Sequence, residues 1–249
     1  ANDAVVVKLL LRFKAATPDA VAAGRDAPLF EAASADCDAV ALVLLEAGAK
    51  IDAKDTRNQT GFVALHAAAY NNAANAARVL VRHAAANAKS SASKTLAAAK
   101  GANAFSPRDN SNRTPLHVAC ERGHAEIADV LLGAMSALNS KGDRRAAIDA
   151  TDDRGRTPLY AAAAQSSLAC VRLLLSARAA ANPNCAARDG TRPLHAAVGF
   201  LEAADANVKE EEEEKDRAAV ARALLDAGAD ANADDDQDDA GKTKTKPPR

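Results

Sequence analysis

Apolar positions along the chain recur in a two-part pattern. A Leu preceded by Pro or Ala and followed by an alanine-rich stretch stands at Leu29, Leu65, Leu116 and Leu159. Each is answered 15 residues later by a second Leu that opens an apolar pair, at Leu44, Leu80, Leu131 and Leu174. The internal interval is constant, whereas the steps between units are 36, 51 and 43 residues, then 35 from Leu159 to Leu194. A fixed unit with variable connectors predicts a helical solenoid, because one such unit cannot bury its apolar face alone. The first element is clearest at Thr114 to Cys120 and at Thr157 to Ala163. Thr accepts a hydrogen bond from free N–H groups of the first turn, and Pro at the first helical position sacrifices no intrahelical bond, so each Thr-Pro opens a helix. Gly123-His124 then turns the chain, and Ala125 to Leu132 sets Ile127, Val130 and Leu131 on one face of a second helix.

These residues resemble the ankyrin repeat, whose pattern runs Asp-x-x-Gly-x-Thr-Pro-Leu-His-x-Ala-Ala-x-x-Gly-His and on to Leu-Leu-x-x-Gly-Ala-Asp-x-Asn-Ala. The nearest matches are Asn112 to His124, Asp152 to Ala163, and Leu224 to Ala233. Further copies are carried by Pro28-Leu29 with Leu44 to Ala49, by Leu65-His66 with Leu80, and by Pro193-Leu194-His195. The resemblance implies an all-α ankyrin-repeat solenoid of stacked helix-turn-helix units with β-hairpin-like finger loops. Residues 1–233 are expected to form an array of about six copies, the first incomplete, and 234–249 a disordered tail, acidic and then basic.

Composition narrows this picture. Apolar residues make up 48% of the chain but aromatics only 3%, with no Trp, so the core must be built from Ala and Leu. The net charge of −1 offers no global field for nucleic acid or a membrane surface. No uncharged apolar run reaches the roughly 18 residues of a spanning helix, and no signal-peptide pattern stands at the start. The cysteines, Cys37, Cys120, Cys170 and Cys185, have no Cys-x-x-Cys spacing, and Cys120 falls where the pattern expects a buried Ala. Cys120 reads as a small core filler, and the four fit reduced thiols of a cytoplasmic or nuclear protein. His66, His117 and His195 close the tetrapeptide, where the resemblance implies a structural hydrogen bond at the repeat junction. No spacing points to a metal, and no cofactor is expected.

Departures from the pattern are local. Asp3 to Leu11 reads as a second helix with no first helix before it, and Val5, Val6 and Leu9 do not suit a polar end face, which suggests a segment of a longer protein. Thr17-Pro18-Asp19 reads as a turn or helix start. The finger of the third copy holds about three extra residues relative to the family pattern and lacks Thr-Pro. Excess length near Ala88 to Phe105, with a helical turn at Thr95 to Lys100, and at Ser140 to Arg145 reads as polar, exposed insertions. Glu210 to Glu214 reads as a solvated extension between the paired helices of the sixth copy, lengthening the second.

No Gly-rich phosphate loop, Gly-x-Ser-x-Gly or recurring acid pair stands outside the repeat grammar, so no enzymatic activity is expected. The resemblance implies a protein-protein interaction scaffold that binds through its concave face and fingers. Mapped onto this chain, the candidate partner-binding residues are Arg57, Arg108, Asn110, Arg113, Arg154, Arg156 and Arg188 in or beside the fingers, with Glu121, Arg122 and Gln165 at the first helices. Arginine at matching finger positions suits an acidic or phosphorylated partner segment. The array is expected to be monomeric and to take no nucleic acid. The alternative reading is a targeting or regulatory domain of a longer enzyme or channel.

Overall fold

The structure is a computed structural model, and it describes residues 2–13, 17–21, 26–55, 57–90, 106–136, 141–176, 179–199 and 210–231. Among them the chain forms helices α1 (Asn2–Arg12), α2 (Pro28–Ser34), α3 (Asp38–Glu46), α4 (Ala64–Asn71), α5 (Ala74–Ser90) and α6 (Pro115–Glu121). There follow α7 (Ala125–Ser136), α8 (Lys141–Ile148), α9 (Pro158–Ala164), α10 (Leu168–Leu175), α11 (Pro193–Val198) and α12 (Glu210–Asp226). The short helices α2, α4, α6, α9 and α11 pack side by side as an inner row. Behind them α1, α3, α5, α7, α10 and α12 form an outer row, which gives the all-α stack of helix-turn-helix units expected from the repeat.

Local chemistry starts and stops the inner helices. Thr114 Oγ1 accepts from the His117 N–H, and Thr157 Oγ1 from the Tyr160 N–H, while Pro115 and Pro158 occupy the first helical turn. The turn to the outer helix needs a left-handed residue, supplied by Gly123 in one unit and by Asp36, Asn72 and Ser166 in three others. Asp36 also accepts from the Ala76 N–H and so caps the outer helix of the following unit.

Both members of each Leu pair are buried: Leu29 with Leu44, Leu65 with Leu80, Leu116 with Leu131, and Leu159 with Leu174. Burial of each such side chain is worth roughly 1.5–3 kcal/mol. Three residues beyond each inner Leu stands a buried Ala, at Ala32, Ala68, Ala119, Ala162 and Ala197, which lets the inner helices approach backbone to backbone. Cys120 fills the next position in its unit, where Ala33, Ala69 and Ala163 stand in three others and Val198 in the last, and is a fully buried free thiol.

The expected insertions resolve differently from a set of exposed loops. The excess near Ala88 partly lengthens α5, which runs on to Ser90, while Thr95 to Lys100 lies outside the described residues. The Ser140 to Arg145 segment is not simply an exposed insertion, because residues 141–148 form α8 and bury Ala147 and Ile148 against α7. Its polar part is exposed, and Arg145 pairs with Asp149 at 3.4 Å. The acidic run from Glu210 stands in the opening turns of α12, whose Val220 and Leu224 are buried. Helix α1 packs on α3 through Val7 and Leu11 and leaves Val5, Val6, Leu9 and Leu10 exposed. Thr17 to Asp19 forms a turn, and Asp19 accepts from the Lys50 N–H. The tail at 234–249 lies outside the described residues.

Candidate partner-binding surface

The loops ahead of the inner helices are short fingers, each closed at its base by one main-chain bond. These bonds run from the N–H of Asp109 to Arg113, of Asp152 to Arg156, of Ala187 to Thr191, and of Asp55 to Phe62. The third finger closes across seven residues where its neighbours close across four, so it carries the three extra residues expected of it. The fingers are hairpin-like only in this single closure, since no strand forms among the described residues.

Adjacent fingers are stitched together in register. The N–H of Asn110 donates to Thr60, that of Asp153 to Ser111, and that of Arg188 to Arg154. Phe62, Arg113, Arg156 and Thr191 are therefore equivalent positions on one edge. A second stitch comes from the tetrapeptide histidines. His117 Nδ1 accepts from the Thr114 N–H, which places the ring proton on Nε2, and Nε2 donates to the Arg156 carbonyl at 3.0 Å. His66 repeats this with Val63 and the Arg113 carbonyl. Burial holds both imidazoles at a pKa of about 4, against the opposing pull of the carbonyl each one bonds.

The candidate residues divide by what their side chains touch. Arg113 donates from Nε to Asp109 at 2.8 Å and from a terminal nitrogen to Glu121 at 2.9 Å. Arg156 holds Asp152 through Nε at 2.9 Å and a terminal nitrogen at 2.7 Å. Burial alone would raise the Asp152 pKa, but Arg156 and the loop N–H groups overcome it and hold the carboxyl below its ordinary value. Arg108 donates to the carbonyls of Asn112 and Thr151, and the Asn110 amide donates to Gln59. Arg57 lies 3.9 Å from Glu31. Arg122 covers the ring of Tyr70, its guanidinium carbon 3.7 Å from the centroid. Arg154, Gln165 and Arg188 are exposed, and the guanidinium groups of Arg154 and Arg188 meet no acceptor among the described residues.

Between the second and third units the inner face opens into a groove of about 380 Å³. Its walls bring together residues outside the candidate partner-binding set: Asp26, Phe30, Glu31, Asp55, Phe62 and Tyr70. Phe62 stacks on His66 with ring centroids 5.1 Å apart, meets Tyr70 edge-on, and carries Arg113 above it at 5.5 Å. The available signal was positional, because Phe62 stands where the next two units have Arg. Among the described residues no helix is long and apolar enough to cross a membrane, and no cluster of His, Cys, Asp or Glu could hold a metal ion.

Comparison with known proteins agrees with this geometry. The family model for ankyrin repeats (3 copies) matches residues 53–142 and 138–235. No curated protein matches the chain. The crystal structure of the ankyrin repeat domain of Bcl-3, described as a unique member of the IkappaB protein family, is similar with a TM-score of 0.63 and 27% identity, over 92% of this chain and 82% of that one. With the finger closures, the capped inner helices and the family match in agreement, the chain belongs to the ankyrin repeat family.

Proposed function

We propose that this chain is a non-enzymatic protein-protein interaction scaffold that takes a segment of another protein along its inner helices and finger edge. The observation that carries this reading is the pair of exposed arginines, Arg154 and Arg188, on successive stitched fingers with no internal acceptor among the described residues. Arg113 and Arg156 sit on the same edge but are engaged by their own loops, so they build the surface and the two outer arginines read the partner. A carboxylate or phosphate of an acidic or phosphorylated segment suits the planar guanidinium fork.

The test begins with a partner captured by pull-down and confirmed with purified proteins. Changing Arg154→Glu and Arg188→Glu together should weaken affinity roughly tenfold, more at low salt than at high, with an unchanged melting temperature. Unchanged affinity, or cross-links that map to the outer helices, would remove this reading.

A further inference from the structure

We infer that the groove between the second and third units is a receptor slot for an arginine side chain of the partner segment. In the fourth and fifth units the opening Asp uses one oxygen for loop N–H groups and gives the other to the Nε of its own finger's arginine, Arg113 or Arg156. In the third unit Asp55 Oδ2 accepts from the N–H and hydroxyl of Thr60, but the arginine position holds Phe62. Asp55 Oδ1 is left without a hydrogen-bond partner among the described residues, in a residue only 7% exposed.

The same groove holds a second acceptor with no hydrogen-bond partner among the described residues, Glu31 Oε1, itself shielded although its side chain is 39% exposed, with Arg57 3.9 Å away. Buried carboxylate oxygens without donors are costly, and two of them lining one groove call for a cation with several N–H groups. The aromatic walls narrow the choice. Arg113 already lies over Phe62 and Arg122 over Tyr70, so guanidinium groups suit these walls, and Phe30 is the lining ring that carries no such cation among the described residues. A flat guanidinium bonds two carboxylates while stacking on a ring, which a lysine ammonium does less well. Of the groove's own cations, Arg113 is held by Asp109 and Glu121, so Arg57 is the competitor for the slot.

The inference rests on the reading of the inner face as a partner surface, and its test is separate from that of Arg154 and Arg188. The probe is the peptide acetyl-Gly-Gly-Arg-Gly-Gly-amide, titrated into the full chain and followed by amide chemical shifts. The Arg peptide should give saturable shifts at Asp55, Thr60, Phe62 and Tyr70, the Lys peptide should bind about tenfold more weakly, and a citrulline peptide should not saturate. Asp55→Asn keeps an acceptor for Thr60 and should weaken binding about tenfold, whereas Arg57→Ala should tighten it. Phe62→Arg supplies the missing internal guanidinium and should abolish peptide binding while raising the melting temperature. Absence of saturation by the Arg peptide, equal binding of the citrulline peptide, or undiminished binding by Asp55→Asn would overturn the slot. If the slot fails while the Arg154 and Arg188 test succeeds, the scaffold reading stands and only the arginine preference falls.

Discussion

The buried histidines show how one residue type sets the pH response of the array. His66 and His117 are neutral in the fold because each uses Nδ1 as an acceptor and burial disfavours the cation. Their folded pKa of about 4 lies below the ordinary 6.5. Between those values the unfolded chain binds a proton that the folded chain refuses. The stability from keeping each ring neutral is therefore complete above pH 6.5, and is lost as pH falls toward 4 at about 1.4 kcal/mol per pH unit for each histidine. Denaturant titrations at pH 7, 6 and 5 should show this decline, and His117→Gln should roughly halve its slope. A stability independent of pH over that range would contradict the neutral assignment. At this scale the sequence also shows its limit. The matching positions of Arg113 and Arg156 were legible from spacing, but their capture by Asp109 and Asp152 depends on a finger turn that folds a residue back on one four positions earlier.

Among the elements, α4 departs from its row. The other complete units begin their inner helices with Pro28, Pro115, Pro158 and Pro193, whereas α4 begins with Ala64 after Val63, which has no side-chain cap. Val63 is extended, with φ −104° and ψ 172°, the conformation that a following proline requires. Ala64→Pro should therefore stabilise the chain by about 0.4–1 kcal/mol, chiefly by restricting the unfolded state. Calorimetry would show a higher melting temperature, and a fall would mean that the long third finger holds Ala64 in a different setting from its four counterparts. The helix pairs themselves were readable because the Leu spacing and the Thr-Pro starts are local signals. Helix α8 was not, since its polar opening masks the two residues, Ala147 and Ile148, that dock it. The groove escaped the sequence for a related reason: its walls come from separate units and meet only when the inner helices stack.

The whole molecule holds together through repeated seams between neighbouring units, and the finger residue next to each seam is in the left-handed region. Gly155 has φ +78°, and a Cβ there would sit 2.8 Å from the Arg188 backbone nitrogen, while Asn112 takes the equivalent place one finger earlier with φ +59°. Asn tolerates this conformation and a β-branched residue does not. Any Cβ at 155 must push the Arg188 backbone, so Gly155→Asn should lose part of the stability of this seam, whereas Gly155→Val, strained in φ as well, should lose more, roughly 1–3 kcal/mol, and broaden the melting transition as the last units uncouple. Equal losses for both would place the strain elsewhere. The seams also have a mechanical meaning. Each pairs one main-chain bond between fingers with, at two junctions, a histidine bond, and the seams lie one after another along the stack. Pulled from its ends, such a stack acts as springs in series: every seam carries the same load, and the extension is shared among them until the weakest one yields.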